Sequence, residues 1–291
     1  TDRHTFKNGL HFGVTASVAD DKTEVTKWTY NTKIPSYGAT GWWDKSAYKE
    51  GMVLGDIWGL QFDRFLTEDD FNADGSLKAG LPDQTKVFPA GYQFAPGDVL
   101  YKDLDNNGEI VKQTNTNDKG DLSVIGNALP RLQFGLNLDA AWKGFDISMF
   151  FQGVAKRKLW AAGNQVLPGF TTGEPFYKGA EDYWTPENTD AFYPRPMDYK
   201  QSASGNYSVN DRYLLNMAYL RLKTFTVGYS LPKVWLSKFK VQGLRVYFTG
   251  ENLFTIDGVK PAIDPEIGIR TASGKSCLLY TSPSPRDVEE S

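Results

Sequence analysis

The stretch from Arg131 to Val154, RLQFGLNLDAAWKGFDISMFFQGV, admits one folded arrangement, and that arrangement constrains the whole chain. With Lys143-Gly144 as a two-residue hairpin turn, glycine supplies the left-handed backbone that such turns require. Trp142 then faces Phe145, Ala140 faces Ile147, Leu138 faces Met149 and Leu136 faces Phe151, so every pair on one side is apolar. The other side pairs Ala141 with Asp146, Asp139 with Ser148, Asn137 with Phe150 and Gly135 with Gln152. A slip of one residue would carry Asp139 and Asp146 to the apolar side, so the register is specified. Both strands reach the ~9 to 11 residues that a tilted strand needs to cross a bilayer.

The same period recurs near the other end. Phe225, Val227 and Tyr229 alternate with Thr224, Thr226, Gly228 and Ser230, and Leu244, Val246 and Phe248 alternate with Arg245, Tyr247, Thr249 and Glu251. This is strand period, not helix period. Between the runs, Leu231-Pro232 ends the first strand, and Trp235, Leu236 and Phe239 among Lys233, Lys238 and Lys240 read as a compact, half-buried turn. An apolar face without charges suits a sandwich core or hydrocarbon equally well.

Composition narrows the class. The 291 residues hold 14% aromatic residues, 28 glycines and 40% hydrophobic residues, a strand-and-loop profile. A formal charge of -3 gives no electrostatic footprint for nucleic acid. No run approaches the ~20 apolar residues of a membrane-spanning helix. Low mean hydropathy does not argue against a membrane barrel, whose strands show lipid only every second residue. One cysteine, Cys277, and two histidines, His4 and His11, leave little for a His-based metal site or triad. Thr1-Asp2-Arg3-His4 has no signal-peptide character, so for an exported protein the start is expected to lie elsewhere.

Taken in order, Phe12, Val14, Ala16 and Val18 alternate with small residues, and Ala19 to Lys22 read as a turn into a strand at Val25 to Tyr30. Asp70 to Val99 is polar and rich in Gly and Pro, which predicts a surface loop, and Lys156 to Asn216 is long and irregular. With the turns at 19–22, 143–144 and 230–243 on one side, the long connections 31–130, 156–216 and 256 onward all fall on the other. Short turns on one side and long loops on the other is how outer-membrane barrels are built, and a sandwich has no reason for it. Trp142, Phe145, Tyr229 and Trp235 would gather at the short-turn end as an aromatic girdle.

Several phrases resemble one family. EGMVLGDIWGLQFDRF, with Arg64 at a usual glycine, PGDVLYKDLDNNGEI, EDYWTPENTDAFYPRP, with Thr189 at a usual proline, AYLRLKTFTVGYSLP, LRVYFTGENLFT and DPEIG are similar to segments of the SusC/RagA family of TonB-dependent outer-membrane transporters. The resemblance implies an all-β fold over 1–270: an antiparallel transmembrane β-barrel segment from the C-terminal part, open in this chain, with short periplasmic turns and long extracellular loops. It further implies a Bacteroidetes-type outer membrane, import of glycan or peptide oligomers, a SusD-like surface lipoprotein partner, and energy from the TonB complex through a plug outside this segment. Residues 271–291 are expected to be a non-native or disordered tail, since 277–287, CLLYTSPSPRD, resembles a translated sequencing adapter.

Trp42, Trp43, Tyr48, Trp160, Tyr183 and Trp184 lie on the expected outer loops, where flat aromatic faces could stack on sugar rings or meet the lipoprotein partner. Asp103, Asp105 and Asn107 with Gly108 repeat the first half of an EF-hand loop, a candidate calcium site, but its twelfth position is Thr114 rather than a bidentate Glu. An Asx-rich turn explains the same residues, and no cofactor is required. Two other functions compete with the importer. A secreted carbohydrate-binding β-domain explains the aromatics and alternation but predicts comparable loops at both ends. A glycoside hydrolase would need a carboxylate pair such as Glu181 with Asp182 or Glu187 across a cleft, and nothing in the sequence orders one.

Overall fold

The structure is a computed structural model that describes residues 2–28, 50–115, 118–161, 163, 166–170, 179–197, 205–237, 241–259 and 263–266. It divides into two compact units: 1–21, 130–157 and 217–258 form one, and the remaining segments form the other.

The first unit is a single antiparallel sheet. Its strands are β1 (Asp2–Thr5), β2 (His11–Ala19), β3 (Arg131–Trp142), β4 (Phe145–Lys156), β5 (Tyr219–Ser230) and β6 (Arg245–Asp257), side by side in chain order. The sheet is open, with β1 and β6 at its edges. The β3–β4 register is the one required by the apolar pattern, from Trp142 opposite Phe145 to Leu136 opposite Phe151. Lys143 and Gly144 take φ of 47° and 88°, the left-handed pair of a tight hairpin.

Across the sheet, one face carries Phe12, Val14, Ala16 and Val18 of β2, Phe134, Leu136, Leu138 and Ala140 of β3, Ile147, Met149 and Phe151 of β4, Val227 and Phe225 of β5, and Val246 and Phe248 of β6. Nothing in the described residues covers it: Val18 is 72% exposed, Phe248 62% and Phe145 57%. The opposite face is polar. There Arg245 reaches across β5 to Asp146, Nε to Oδ1 3.0 Å, and Thr226 bonds Thr249 at 3.0 Å. Gly228 makes room for the ion pair, since a Cβ there would lie 2.6 Å from the Arg245 guanidinium.

β5 holds its apolar side chains in two phases, Leu220 and Leu222 at even positions and Phe225, Val227 and Tyr229 at odd ones. An extra residue reconciles them. Against β4, consecutive Phe150 and Phe151 pair with Thr224 and Leu222, so Lys223 bulges and both halves keep one apolar face. β6 adds a further residue at the same level, where Asn252 has φ 50°, and its even-numbered Phe254 and Ile256 return to that face.

One expected hairpin is not formed. β2 pairs with β1 through the turn Phe6–Leu10 and with β3, not with Val25 to Tyr30. Gly9, at φ 80°, and the Asn8 side chain, which accepts the Leu10 N–H at 3.1 Å, make that turn. Asp20 is not a turn residue but closes the far end of β2, bonding the Arg131 guanidinium and the Leu132 N–H. Val25 instead pairs with the segment around Met52, and Tyr30 lies outside the described residues. The segregation of turns survives the correction. The three short turns, 6–10, 143–144 and 231–244, close one end of the sheet, and the connections 20–130 and 157–218 leave and rejoin it at the other.

The second unit is made by those two connections, which are not the bare surface loops expected for 70–99 and 156–216. Short ladders join Asp56–Gly59 to Ser123–Asn127, Phe62–Phe65 to Val99–Tyr101, and Lys158–Leu159 to Leu215–Asn216. Leu60, Phe65, Val87, Phe88, Val99, Tyr101, Ile110, Leu122, Trp184 and Ala191 form its core. Connections of this length must satisfy their own backbone groups, and here buried side chains do much of that. Gln84 bonds both the Val99 carbonyl and the Tyr101 N–H, and the Asn206 carbonyl oxygen of the side chain accepts the Val99 N–H at 2.7 Å.

Candidate functional site

The described residues expected to meet substrate or partner lie in the second unit, where a buried polar clasp ties the segment of Tyr183 and Trp184 to the rest of the unit. Asp98, fully buried, accepts the Tyr92 hydroxyl at 2.8 Å, the Arg195 Nε at 2.8 Å, the Asn206 amide at 3.0 Å and the Ala95 N–H at 2.9 Å. It thereby ties the Pro96-Gly97-Asp98 turn to the Pro194-Arg195 end of the EDYWTPENTDAFYPRP segment. Burial, reinforced by the Asp98 charge, pushes the Tyr92 hydroxyl above its ordinary pKa, so it stays a donor. Burial works against charge on Arg195, but the bond and charge of Asp98 outweigh it and raise the guanidinium pKa. Gly97 is needed for two reasons. Its φ is 89°, and a Cβ there would lie 2.5 Å from the Trp184 ring.

The aromatic candidates separate accordingly. Trp184 is 7% exposed and belongs to the core, and Trp160 is 2% exposed. Tyr183 is 40% exposed and offers its ring at the surface. Trp42, Trp43 and Tyr48 lie outside the described residues. Glu181, Asp182 and Glu187 are exposed, and Asp182 accepts the Asn188 amide at 3.3 Å.

Arg64, at the position where the resembling segments usually have glycine, has a local partner. Its two terminal nitrogens grip the Asp70 carboxylate at 2.6 and 2.7 Å. That grip, against the opposing effect of burial, lowers Asp70 to about 2. Arg212 lies over Phe62 and Phe65, 4.3 and 4.9 Å from the ring centroids, and donates to the Ala191 and Phe192 carbonyls.

The acidic turn differs in composition from its expectation. Carboxylate oxygens of Asp103, Asp105 and Asp121 converge within 4.8 Å of one another. Asn107 instead serves the turn itself, its Oδ1 accepting the Glu109 N–H at 2.8 Å and its Nδ2 donating to Asp105 at 3.1 Å. Asp121 is fully buried and accepts the Leu104 and Val111 N–H groups, each at 2.7 Å. Its distance in sequence from the Asp103 turn hid it from motif reading. Burial raises Asp105, with neighbouring carboxylates adding to it, whereas at Asp103 desolvation is outweighed by N–H donors of the turn and the pKa falls. Asp103 Oδ1 is shielded and has no hydrogen-bond partner. The donor set is all oxygen, the kind hard cations take, although most of these oxygens already accept bonds from the turn.

No family model matches the chain. TonB-dependent receptor P3 of Formosa agariphila is 29% identical over 228 residues, 76% of this chain and 19% of the receptor. TonB-dependent receptor P26 of the same organism is 34% identical over 166 residues, 56% of this chain and 16% of that one. The chain thus spans less than a fifth of the length of these relatives. Among solved structures, the RagAB peptide transporter superposes with a TM-score of 0.61 at 18% identity, covering 91% of this chain and 25% of that one. Its 'open-open' state gives 0.58. Relatives in sequence and neighbours in fold agree with the open antiparallel sheet and its segregated connections: the chain is similar in sequence to TonB-dependent receptors and has the fold of part of the RagAB transporter's β-barrel.

Proposed function

We propose that this chain forms wall and outer loops of a larger outer-membrane barrel that imports oligomeric nutrients with energy from TonB. The observation that carries the reading is the sheet itself. One face is apolar and bare, the other polar, and short turns close one end while the connections 20–130 and 157–218 leave from the other. Hydrocarbon suits the first face and an aqueous lumen the second. The second unit then stands outside the cell, where a SusD-like lipoprotein and a glycan or peptide would meet it. Tyr183, whose ring is exposed, is the described candidate for contact with either, and Trp42, Trp43 and Tyr48 are proposed for the same role. The RagAB fold neighbours are peptide importers, which supports oligomeric cargo without choosing between peptide and glycan. Catalysis has no part in this proposal.

Cysteine accessibility tests it. In a cysteine-free version of the whole receptor, a cysteine at Asp74 should react with a membrane-impermeant maleimide on intact cells. One at Lys143 should react only after the outer membrane is opened. Equal labelling of both sites, or recovery of the protein in the soluble fraction, would favour the secreted carbohydrate-binding domain. We also propose calcium at Asp103, Asp105 and Asp121, supported by the shielded Asp103 Oδ1. Equilibrium dialysis against radioactive calcium should show binding that Asp121→Asn removes. No binding by the parent protein would leave an Asx turn alone.

A further inference from the structure

The three short turns share a chemistry that the wall itself does not need. Their sequences, Phe6–Leu10, Lys143-Gly144 and Leu231–Leu244, contain Lys7, Lys143, Lys233, Lys238 and Lys240 and no acidic residue. They are neighbours at one end of one sheet. The Trp142 indole N–H donates to the Asn8 carbonyl at 3.3 Å, tying the first turn to the second. The Ser230 N–H donates to the Gly144 carbonyl at 2.8 Å, tying the second to the third.

Around these joints stand exposed amphipathic and apolar side chains. Phe6, Trp142, Phe145, Trp235 and Leu244 are 45, 45, 57, 61 and 48% exposed. Lys7, Lys143 and Lys233 are exposed as well, and Lys143 Nζ lies 4.5 Å from the Trp142 ring centroid. Among the described residues none of these three lysines forms an ion pair. The nearby carboxylate on the sheet's polar face, Asp146, is already bound by Arg245. The helical turn Lys233–Leu236 buries Leu236 and leaves Val234 and Trp235 outward.

Rings that settle at the headgroup level, interleaved with unpaired ammonium groups on flexible stems, complement a surface of phosphates. We infer that this rim is a seat for anionic phospholipid headgroups of the leaflet facing the short turns. The inference rests on the membrane-wall reading. The rim goes beyond an aromatic girdle, which needs no net charge and selects no lipid. Apolar girdle residues fix the depth of the wall; the lysines add a preference for phosphatidylglycerol-like lipid over zwitterionic lipid.

The test uses the whole receptor reconstituted in nanodiscs of phosphatidylcholine with a minor share of phosphatidylglycerol. Association of spin-labelled phosphatidylglycerol and phosphatidylcholine is compared by electron paramagnetic resonance. The parent protein should favour the anionic probe several-fold, with the preference shrinking as salt rises. Replacing Lys7, Lys143 and Lys233 by Gln together should remove most of it, about fivefold per lysine at the most. The corresponding Lys→Arg variant should restore it, and Lys78→Gln with Lys102→Gln, on the long connections, should leave it unchanged. Equal association of the two probes with the parent, or a preference that survives the triple Gln variant, would overturn the inference. A receptor that enters the nanodisc yet shows no preference fails this inference alone. One that does not enter a bilayer at all fails the wall reading beneath it.

Discussion

Removing the Asp98 carboxylate should open the second unit more than any other single polar deletion. Five hydrogen bonds end on it, from Tyr92, Ala95, Asn206 and two nitrogens of Arg195, and the side chain has no exposure of its own. Breaking a buried ion pair by deleting one member costs roughly 3 to 5 kcal/mol, because the other charge stays behind without a partner. Arg195 is 28% exposed and can recover some solvation, which places Asp98→Ala at the lower end, about 3 kcal/mol. Deleting both members should cost less than the sum of the singles, by about 1 to 3 kcal/mol, since Asp98→Ala with Arg195→Met leaves no orphaned charge. Native-state proteolysis of the long connections reads this local opening directly. The reasoning fails if Asp98→Ala is cleaved no faster than the parent protein, or if the double variant shows the plain sum.

Three further outcomes follow from the geometry. Val227, flanked by Ile147 and Phe248 on the bare face, should resist change to Arg by ~2 to 4 kcal/mol in lipid, while Thr226→Arg on the polar face should be tolerated; heat-modifiable gel mobility after folding into vesicles separates them, and equal effects would contradict the assignment of faces. Gly153→Ala should cost ~1 to 3 kcal/mol, because the new Cβ would lie 2.5 Å from the Tyr219 carbonyl oxygen and closer still to the Phe134 ring, whereas Gly243→Ala meets nothing within 4 Å; denaturant titration of the pair checks this. Asp70, lowered to about 2 by Arg64, contributes stability that is fully present above an unfolded value of ~3.9 and lost as pH falls through about 2. Melting of the parent and of Asp70→Asn should therefore differ at pH 5 and converge near pH 2, and a constant gap would show that the charge is not what matters.

Strand pairing was legible where alternating apolar runs meet at a recognisable turn. The pairs around Lys143-Gly144 follow from alternation and the tight turn, because a slip of one residue would carry Asp139 and Asp146 to the apolar face. The first hairpin was not legible in that way. Asp20-Asp21-Lys22 has turn chemistry, but Asp20 spends it on Arg131, more than a hundred residues away, and no local pattern announces such a partner. The Asn8-Gly9 dipeptide was the available signal for the real turn. Similarly, Trp160 and Trp184 share their composition with surface aromatics, and only the core of the second unit decides that they are buried. Asp121 joined the acidic turn through the fold, not through spacing.

The bulge at Lys223 has a consequence for how this wall can change length. Its strand is written in two reading phases joined at one residue, so losing the Lys223 codon would merge them into plain alternation and leave every apolar side chain on its own face. The connections beyond the sheet can absorb insertions as length, and within this strand the bulge can absorb a lost residue, whereas a loss inside the run Phe225 to Tyr229 would turn the residues on one side of it to the opposite face.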